Sequence, residues 1–390
     1  MLSLERLYEK RNGGLRNIGS TCYANTLIQC LSVCDSFMLF LFNHEENYKN
    51  RLNKNKKNES DNIFLITELK MIYESLVLDG NSLIPRRFIK CLSNKFDYFN
   101  IFEQNDIHEM LLMIINKLNE EIKFTETETK IIFNKILLKH KKYVLDNDNI
   151  NDDNINDENN ENKYNQFKEE NIGNWFNLHS KEYSEIIECF YGHQISQIVC
   201  GNCDFIHHNH EYFNCLNLEL PVQVNIGGHN SINKDLYDCI KQYTSKIMLN
   251  NSDDNEIEWK CDKCNCKKKS DKIIKFWNLP PVLIINLKRF VYDAKKDRLS
   301  KNDIEINIPF NLDLKNYVLQ RNNNINYELK GIGLHYGNIR GGHYVSMIRK
   351  NNNNDNEWMY IDDEIISETT KDKIPFKNAY VLFYNLKMNE

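Results

Sequence analysis

Two cysteine pairs constrain this fold most. Cys200-Gly-Asn-Cys203 and Cys261-Asp-Lys-Cys264 stand about 60 residues apart. Each has the C-x2-C spacing that lets two thiolates grip one metal ion, and two such pairs complete a tetrahedral zinc site. One structural zinc on these four residues would force residues 200 and 264 together. A closed four-thiolate site has no open position, so it would hold structure and not catalyse. The alternative is four buried thiols, and Cys266 offers a rival ligand within C-D-K-C-N-C. The surrounding segment, ECFYGHQISQIVCGNCDFIHHNHEYFNCLNLELP, alternates and is rich in Ile, Val, Tyr and Phe, so it reads as β. Twelve cysteines in 390 residues do not make a disulfide scaffold. The opening MLSLERLYEKRN has no apolar signal core. A reducing setting, cytoplasmic or nuclear, is expected.

Upstream the texture is helical. GGLRNIGSTCYANTLIQCL, Gly13 to Leu31, reads as a loop and then a helix. Ser20 and Thr21 offer capping oxygens, and Tyr23, Leu27, Leu31 and Cys34 recur at roughly helical spacing. Cys22 then sits at a helix N-terminus, where unpaired N–H groups and the positive dipole end favour a thiolate. Taken alone, a free cysteine is more often a small buried hydrophobe. Residues 43–62 are polar and read as a loop. Residues 63–78 return to helical periodicity. EQNDIHEMLLMIINKLNEEI, Glu103 to Ile122, is an amphipathic helix with Asp106 and Glu109 in its first turn. They either complement the helix dipole or hold an arginine-rich peptide. Residues 146–162 are almost wholly Asn, Asp and Glu and read as a disordered insertion. Shorter tracts at 249–255, 321–326 and 351–356 read as expanded surface loops.

The C-terminal third is strand-patterned, at Val282–Leu287, Tyr327–Leu334, Gly341–Arg349, Trp358–Ile361 and Ala379–Tyr384. Helices first and sheet second is an α+β order. Within it, Gly341-Gly342-His343-Tyr344 enters a strand. His343 could take a proton from Cys22 and return it to a leaving amine. A third group must orient the ring. The strand Trp358-Met-Tyr-Ile-Asp362-Asp363 ends in two carboxylates, either of which could reach it. His335 is the main rival base; His193, His207, His208 and His210 lie near a knuckle. A net charge of −5 gives no pointer to nucleic acid, and no apolar run approaches a membrane span.

Together these residues resemble the ubiquitin-specific proteases, papain-like thiol isopeptidases. GLRNIGSTCYANTLIQCL resembles the family's cysteine box, EQNDIHEMLLMIINKL its Gln-Gln-Asp box, and LPPVLIINLKRF, YELKGIGLHYGNIRGGHYVSMIR, WMYIDDEII and AYVLFY the parts of its histidine box, in family order. The resemblance spans Gly14 to Tyr384. It implies Cys22 as nucleophile, His343 as base in preference to His335, and Asp362 as its orienter. Asn17 would donate to the oxyanion, and Asp363 would support the oxyanion or the base. Gln104, Asp106, Glu109, Gly341, Gly342 and Tyr344 would receive the arginine-bearing, Gly-Gly-ended tail of ubiquitin. Asn105 and Met110 depart from the usual Gln and aromatic of their box.

The implied fold is a single hand-like catalytic domain over 1–390: a helical thumb at about 1–130, mostly fingers at about 187–285, and mostly palm at about 286–390. The implied activity is deubiquitination through a thioester, with structural zinc and no catalytic cofactor. Partners would be ubiquitin and ubiquitinated proteins, with room for an activating partner such as a β-propeller protein, and no nucleic acid or membrane. A silent ubiquitin-binding scaffold, or an isopeptidase for another ubiquitin-like modifier, are the alternatives.

Overall fold

The computed structural model describes residues 2–55, 63–97, 99–148, 158–221, 234–249, 259–293, 297–319, 325–338, 341–350 and 354–387. Helices come first: Leu4–Glu9, Cys22–Leu31, Asp35–Asn43, Glu45–Lys54, Leu65–Tyr73 with a π-helical turn Glu74–Asp79, Arg86–Lys95, Ile107–Ile122, Glu126–Asp148, Glu158–His179 and Glu185–Phe190. No single helix among the described residues is long and apolar enough to cross a membrane.

Two helical findings differ from the sequence reading. Residues 43–62 were expected to be a loop, but Glu45–Lys54 is a helix. Its only apolar anchors, Tyr48 and Leu52, are four apart and buried, and Arg51 pairs with Glu185 at 2.6 Å. Two anchors among polar residues are too few to produce a visible periodicity. The helical part also runs on to Phe190, past the expected limit near 130. The flanks of the Asn-rich tract are helical to Asp148 and from Glu158; residues 149–157 at its centre lie outside the described residues. So do residues 250–255, 321–324 and 351–353 of the shorter tracts.

An eight-stranded sheet forms the second layer. Its strands lie in the order Ile365–Thr370, Glu357–Asp362, Gly341–Arg349, Asn326–Asn338, Ala379–Leu386, Val282–Lys288, Leu216–Glu219, with Asn311–Asp313 pairing Asn326–Asn338. All neighbours are antiparallel except Leu216–Glu219 beside Val282–Lys288. The two-residue period of a strand sorts its side chains. Ile284, Ile348, Val381 and Phe383 pack against the helices. Leu283, Ile285, Met347 and Leu382 fill a second core on the far face. The wholly buried helix Cys22–Leu31 belongs to the first core.

Arg289 ties this sheet to the segments beside it. Its guanidinium is buried and donates to the carbonyls of Ala379 (2.6 Å), Asn302 (2.9 Å), Ile304 (2.9 Å) and Phe376 (3.3 Å). Burial pulls it down to about 10, still charged near neutrality. Charged donors to carbonyls are the stronger class of hydrogen bond.

A smaller sheet carries the strands Ile206–Phe213, Gly192–Val199, Ser270–Asn278 and Ile247–Leu249, in that order. Helix Glu158–His179 lies across one of its faces. There Phe167 meets Trp277 at 5.3 Å, Trp175 meets His193 at 5.6 Å and His179 meets Tyr212 at 4.9 Å between ring centres.

Candidate active site

Cys22 is the first residue of its helix, after Thr21 at the cap. The approach loop is stitched to that helix from below. Asn25 donates to the Leu15 carbonyl (3.1 Å) and Gln29 to that of Gly13 (2.9 Å). The loop also docks on the sheet: Leu15 N–H donates to the Asp363 carbonyl at 2.9 Å. A Cβ on Gly14 would stand 2.7 Å from the Glu364 Cα, so only glycine lets the two backbones approach this closely.

His343 lies between Cys22 and Asp362. Its Nε2 meets Asp362 Oδ1 at 2.6 Å. That leaves Nδ1 for Cys22, whose side chain is near enough to raise the ring. Cys22 does most to raise the imidazole, and Asp362 adds to it; against partial burial they push it up to about 9. The ring is therefore charged near neutrality, a proton store beside the Cys22 sulfur. His335, the rival base, is buried against Tyr344 at 4.7 Å and pushed down to about 4, chiefly by burial. His193, His207, His208 and His210 sit on the smaller sheet, with His193 and His210 ring nitrogens 3.1 Å apart.

Asp362 ends its strand, and Asp363 turns back toward Ile365 with φ +53. Asp tolerates this left-handed region better than most residues. Asp363 Oδ2 accepts from Asn17 Nδ2 at 3.0 Å, and its Oδ1 accepts from Asn25 Nδ2 at 2.8 Å. Asn17 Oδ1 accepts from the Thr21 N–H (3.1 Å), the Gly19 N–H (3.2 Å) and the Thr21 hydroxyl (3.1 Å). The amide plane is thereby fixed, with one Nδ2 hydrogen directed elsewhere than Asp363.

The proposed tail residues are placed unevenly. Asp106 is the N-cap of Ile107–Ile122, its Oδ1 accepting from the His108 N–H (2.7 Å) and the Glu109 N–H (3.3 Å). Its Oδ2 accepts from the Tyr380 hydroxyl (2.5 Å) and the Tyr344 hydroxyl (3.5 Å). Glu109 is exposed one turn on. Gln104 donates to the Gly342 carbonyl (2.8 Å) and accepts from the Gly342 N–H (3.0 Å). A Cβ on Gly341 would meet Gln104 Oε1 at an ordinary 3.9 Å, whereas a Cβ on Gly342 would strike the His335 ring at 2.1 Å. Gly342 is thus required by its own fold, a reason the sequence did not display. Sequence reasoning also missed Asn25 and Tyr380. Asn25 and Gln29, four apart, put two buried amides on one face of the helix three and seven after Cys22, and that was a signal for Asn25. Nothing in the sequence singled out Tyr380.

A second cluster, in the smaller sheet, can hold a metal. Cys200, Cys203, Cys261 and Cys264 bring their sulfurs within 4.8 Å of one another. Cys200 and Cys264 are 3.7 Å apart, and Cys203 and Cys261 3.8 Å. A disulfide needs about 2.05 Å. A tetrahedron with zinc–sulfur bonds of about 2.3 Å has edges of about 3.8 Å, so the donor set fits a zinc ion. The Cys266 sulfur is outside this group of four, and its carbonyl accepts from the Cys261 N–H at 3.0 Å.

The family model described as ubiquitin carboxyl-terminal hydrolase matches residues 13–384. A probable ubiquitin carboxyl-terminal hydrolase of Acanthamoeba polyphaga mimivirus is 26% identical over 95% of this chain and 89% of its own length. Ubiquitin carboxyl-terminal hydrolase 4 of Arabidopsis thaliana is 26% identical over 92% of this chain and 85% of its own. Among solved structures, the SAGA DUB module Ubp8/Sgf11/Sus1/Sgf73 bound to ubiquitin aldehyde aligns with a TM-score of 0.66 at 22% identity, covering 100% of this chain and 72% of that one. At that identity the likeness establishes the fold.

Proposed function

This chain belongs to the ubiquitin carboxyl-terminal hydrolase family, and from that premise we propose that Cys22, His343 and Asp362 carry out its deubiquitinating hydrolysis. The bond cut joins the C-terminal glycine of ubiquitin to a lysine amine. One observation carries the assignment of roles: the imidazole held by Asp362 at 2.6 Å is the one whose basicity Cys22 does most to raise.

Cys22 sulfur attacks the glycine carbonyl carbon, and its proton rests on His343. The Cys22 N–H, a first-turn donor without an intrahelical acceptor, and the free Asn17 Nδ2 hydrogen face the developing oxyanion. His343 Nδ1 then protonates the departing amine, leaving a thioester. Water, deprotonated by the same ring, releases ubiquitin and restores the thiol. Glu109 is the exposed carboxylate for a cationic tail, while Asp106 keeps the helix end and both tyrosines in place. Zinc on Cys200, Cys203, Cys261 and Cys264 would supply a rigid cross-link between finger strands and no chemistry. Reduced thiols at both centres suit the cytoplasm or nucleus.

Asn17→Ala should lower kcat by about 10²–10³-fold with little change in KM, because its hydrogen bond strengthens only in the transition state. Steady-state cleavage of a ubiquitin–lysine conjugate checks this. The pH profile is a second test. His343 holds its proton below about 9, so kcat/KM for an amine leaving group should fall as pH rises through about 9. Asp362→Asn removes one of the groups holding the ring up and should move that limb to lower pH.

The assignment is tested by mass-spectrometric capture with ubiquitin bearing a C-terminal electrophile. One adduct on Cys22, lost in Cys22→Ser, is expected. No adduct from folded protein would overturn the assignment for the isolated chain. Recovery on adding an activating partner, such as a β-propeller protein, would move the deficit to alignment. Capture by another ubiquitin-like probe would change the modifier.

A further inference from the structure

We propose that Asn25 is a positioning residue for this hydrolysis, one that holds the Asp363 carboxylate so that Asp363 in turn aims the Asn17 amide. The inference rests on the assignment of Cys22 and Asn17 given above.

Asn25 is 1% exposed and lies three residues after Cys22, on the same face of the helix. Both of its amide hydrogens have acceptors, the Leu15 carbonyl at 3.1 Å and Asp363 Oδ1 at 2.8 Å. Its own Oδ1 is buried with no partner. Turning the amide over would set that oxygen against a carbonyl and a carboxylate, so the orientation is fixed. A side chain present only for packing would gain nothing from an unsatisfied buried oxygen.

The other oxygen of Asp363 accepts from Asn17 at 3.0 Å. Two asparagines from the helical layer thus bracket one carboxylate from the sheet, one on each oxygen. The residue before that carboxylate is Asp362, which holds His343. The turn therefore sets the nucleophile helix, the oxyanion donor and the base in register. Asn25 touches no reacting atom. Without it the carboxylate can rotate, and the Nδ2 end of the Asn17 amide loses a fixed acceptor while its Oδ1 stays held by Gly19 and Thr21.

The test is kinetic and uses the whole chain. Asn25→Ala should lower kcat by about 10–10²-fold while KM and ubiquitin affinity stay within about twofold. Asn25→Asp sets two carboxylates face to face and should lose at least as much. Joining Asn25→Asp with Asp363→Asn puts an amide opposite a carboxylate again but leaves an oxygen against the Leu15 carbonyl, so it should recover only in part, roughly threefold over Asn25→Asp alone. A purely structural role predicts parallel losses in binding and melting temperature, and no recovery in the exchanged pair. Asn25→Ala with unchanged kcat, or an exchanged pair no better than the single variant, overturns the proposal. Should Asn25→Ala not fold, the exchanged pair decides alone. A wild-type chain that forms no Cys22 adduct instead overturns the assignment beneath it, which separates the two failures.

Discussion

Cys22→Ala should abolish conjugate cleavage, a loss on the order of 10⁴–10⁶-fold, while ubiquitin remains bound. The reason is covalent: no other described side chain stands where a thioester could form and still meet His343. Alanine also leaves the helix start intact, since Thr21 before it is held by Asn17 and the position favours a good helix former. Calorimetric titration with ubiquitin, run beside single-turnover cleavage, separates the two properties. Lost cleavage with retained binding assigns the nucleophile. Equal loss of both would mean that the buried helix Cys22–Leu31 had been disturbed.

The second large effect is at the four-cysteine cluster. Structural zinc in small finger peptides carries apparent binding free energies of about 10–16 kcal/mol. Here the cluster joins the turn after Gly192–Val199 to the segment before Ser270–Asn278, so its removal frees the outer end of the smaller sheet. Within the cluster Cys264 is lowered, chiefly by the Cys266 N–H, while Cys203 is raised by desolvation and its cysteine neighbours, so a metal binds by displacing protons. Elemental analysis should find one zinc per chain. Cys261→Ala, or a strong chelator, should release it and raise amide exchange in Gly192–Val199 and Ser270–Asn278 by about 10³-fold or more. Exchange in Cys22–Leu31 should change little. Zinc-free protein with unchanged exchange would reduce the cluster to four neighbouring thiols.

Much of this was legible in the chain, for reasons that differ by residue. Strands such as Val282–Lys288 and Ala379–Leu386 were readable because burial on both faces leaves continuous apolar runs. Cys22, His343 and the two carboxylates stood in local strings whose order is itself specific. Helix Glu45–Lys54 was hidden because two buried anchors hold ten residues. Helix Glu158–His179 was hidden because its aromatic contacts are made with strands downstream, such as the one bearing Trp277. Asp106 shows a third limit. Its N-cap role could be read from position, but its bond to Tyr380 joins residues 274 apart and leaves no local trace.

The separation in sequence of the site's two halves matters while the chain is being made. Asn17 and Asp363 are 346 residues apart, and Asn25 and Asp363 are 338 apart. A ribosome delivers the nucleophile early and the base and its carboxylates late. The nascent protein is therefore inert as an enzyme until its sheet is nearly complete. The same delay leaves the apolar helix Cys22–Leu31 without strands Asn326–Asn338 and Gly341–Arg349 to cover it. Until those strands arrive, the face of that helix meant for the sheet has only its neighbouring helices for company.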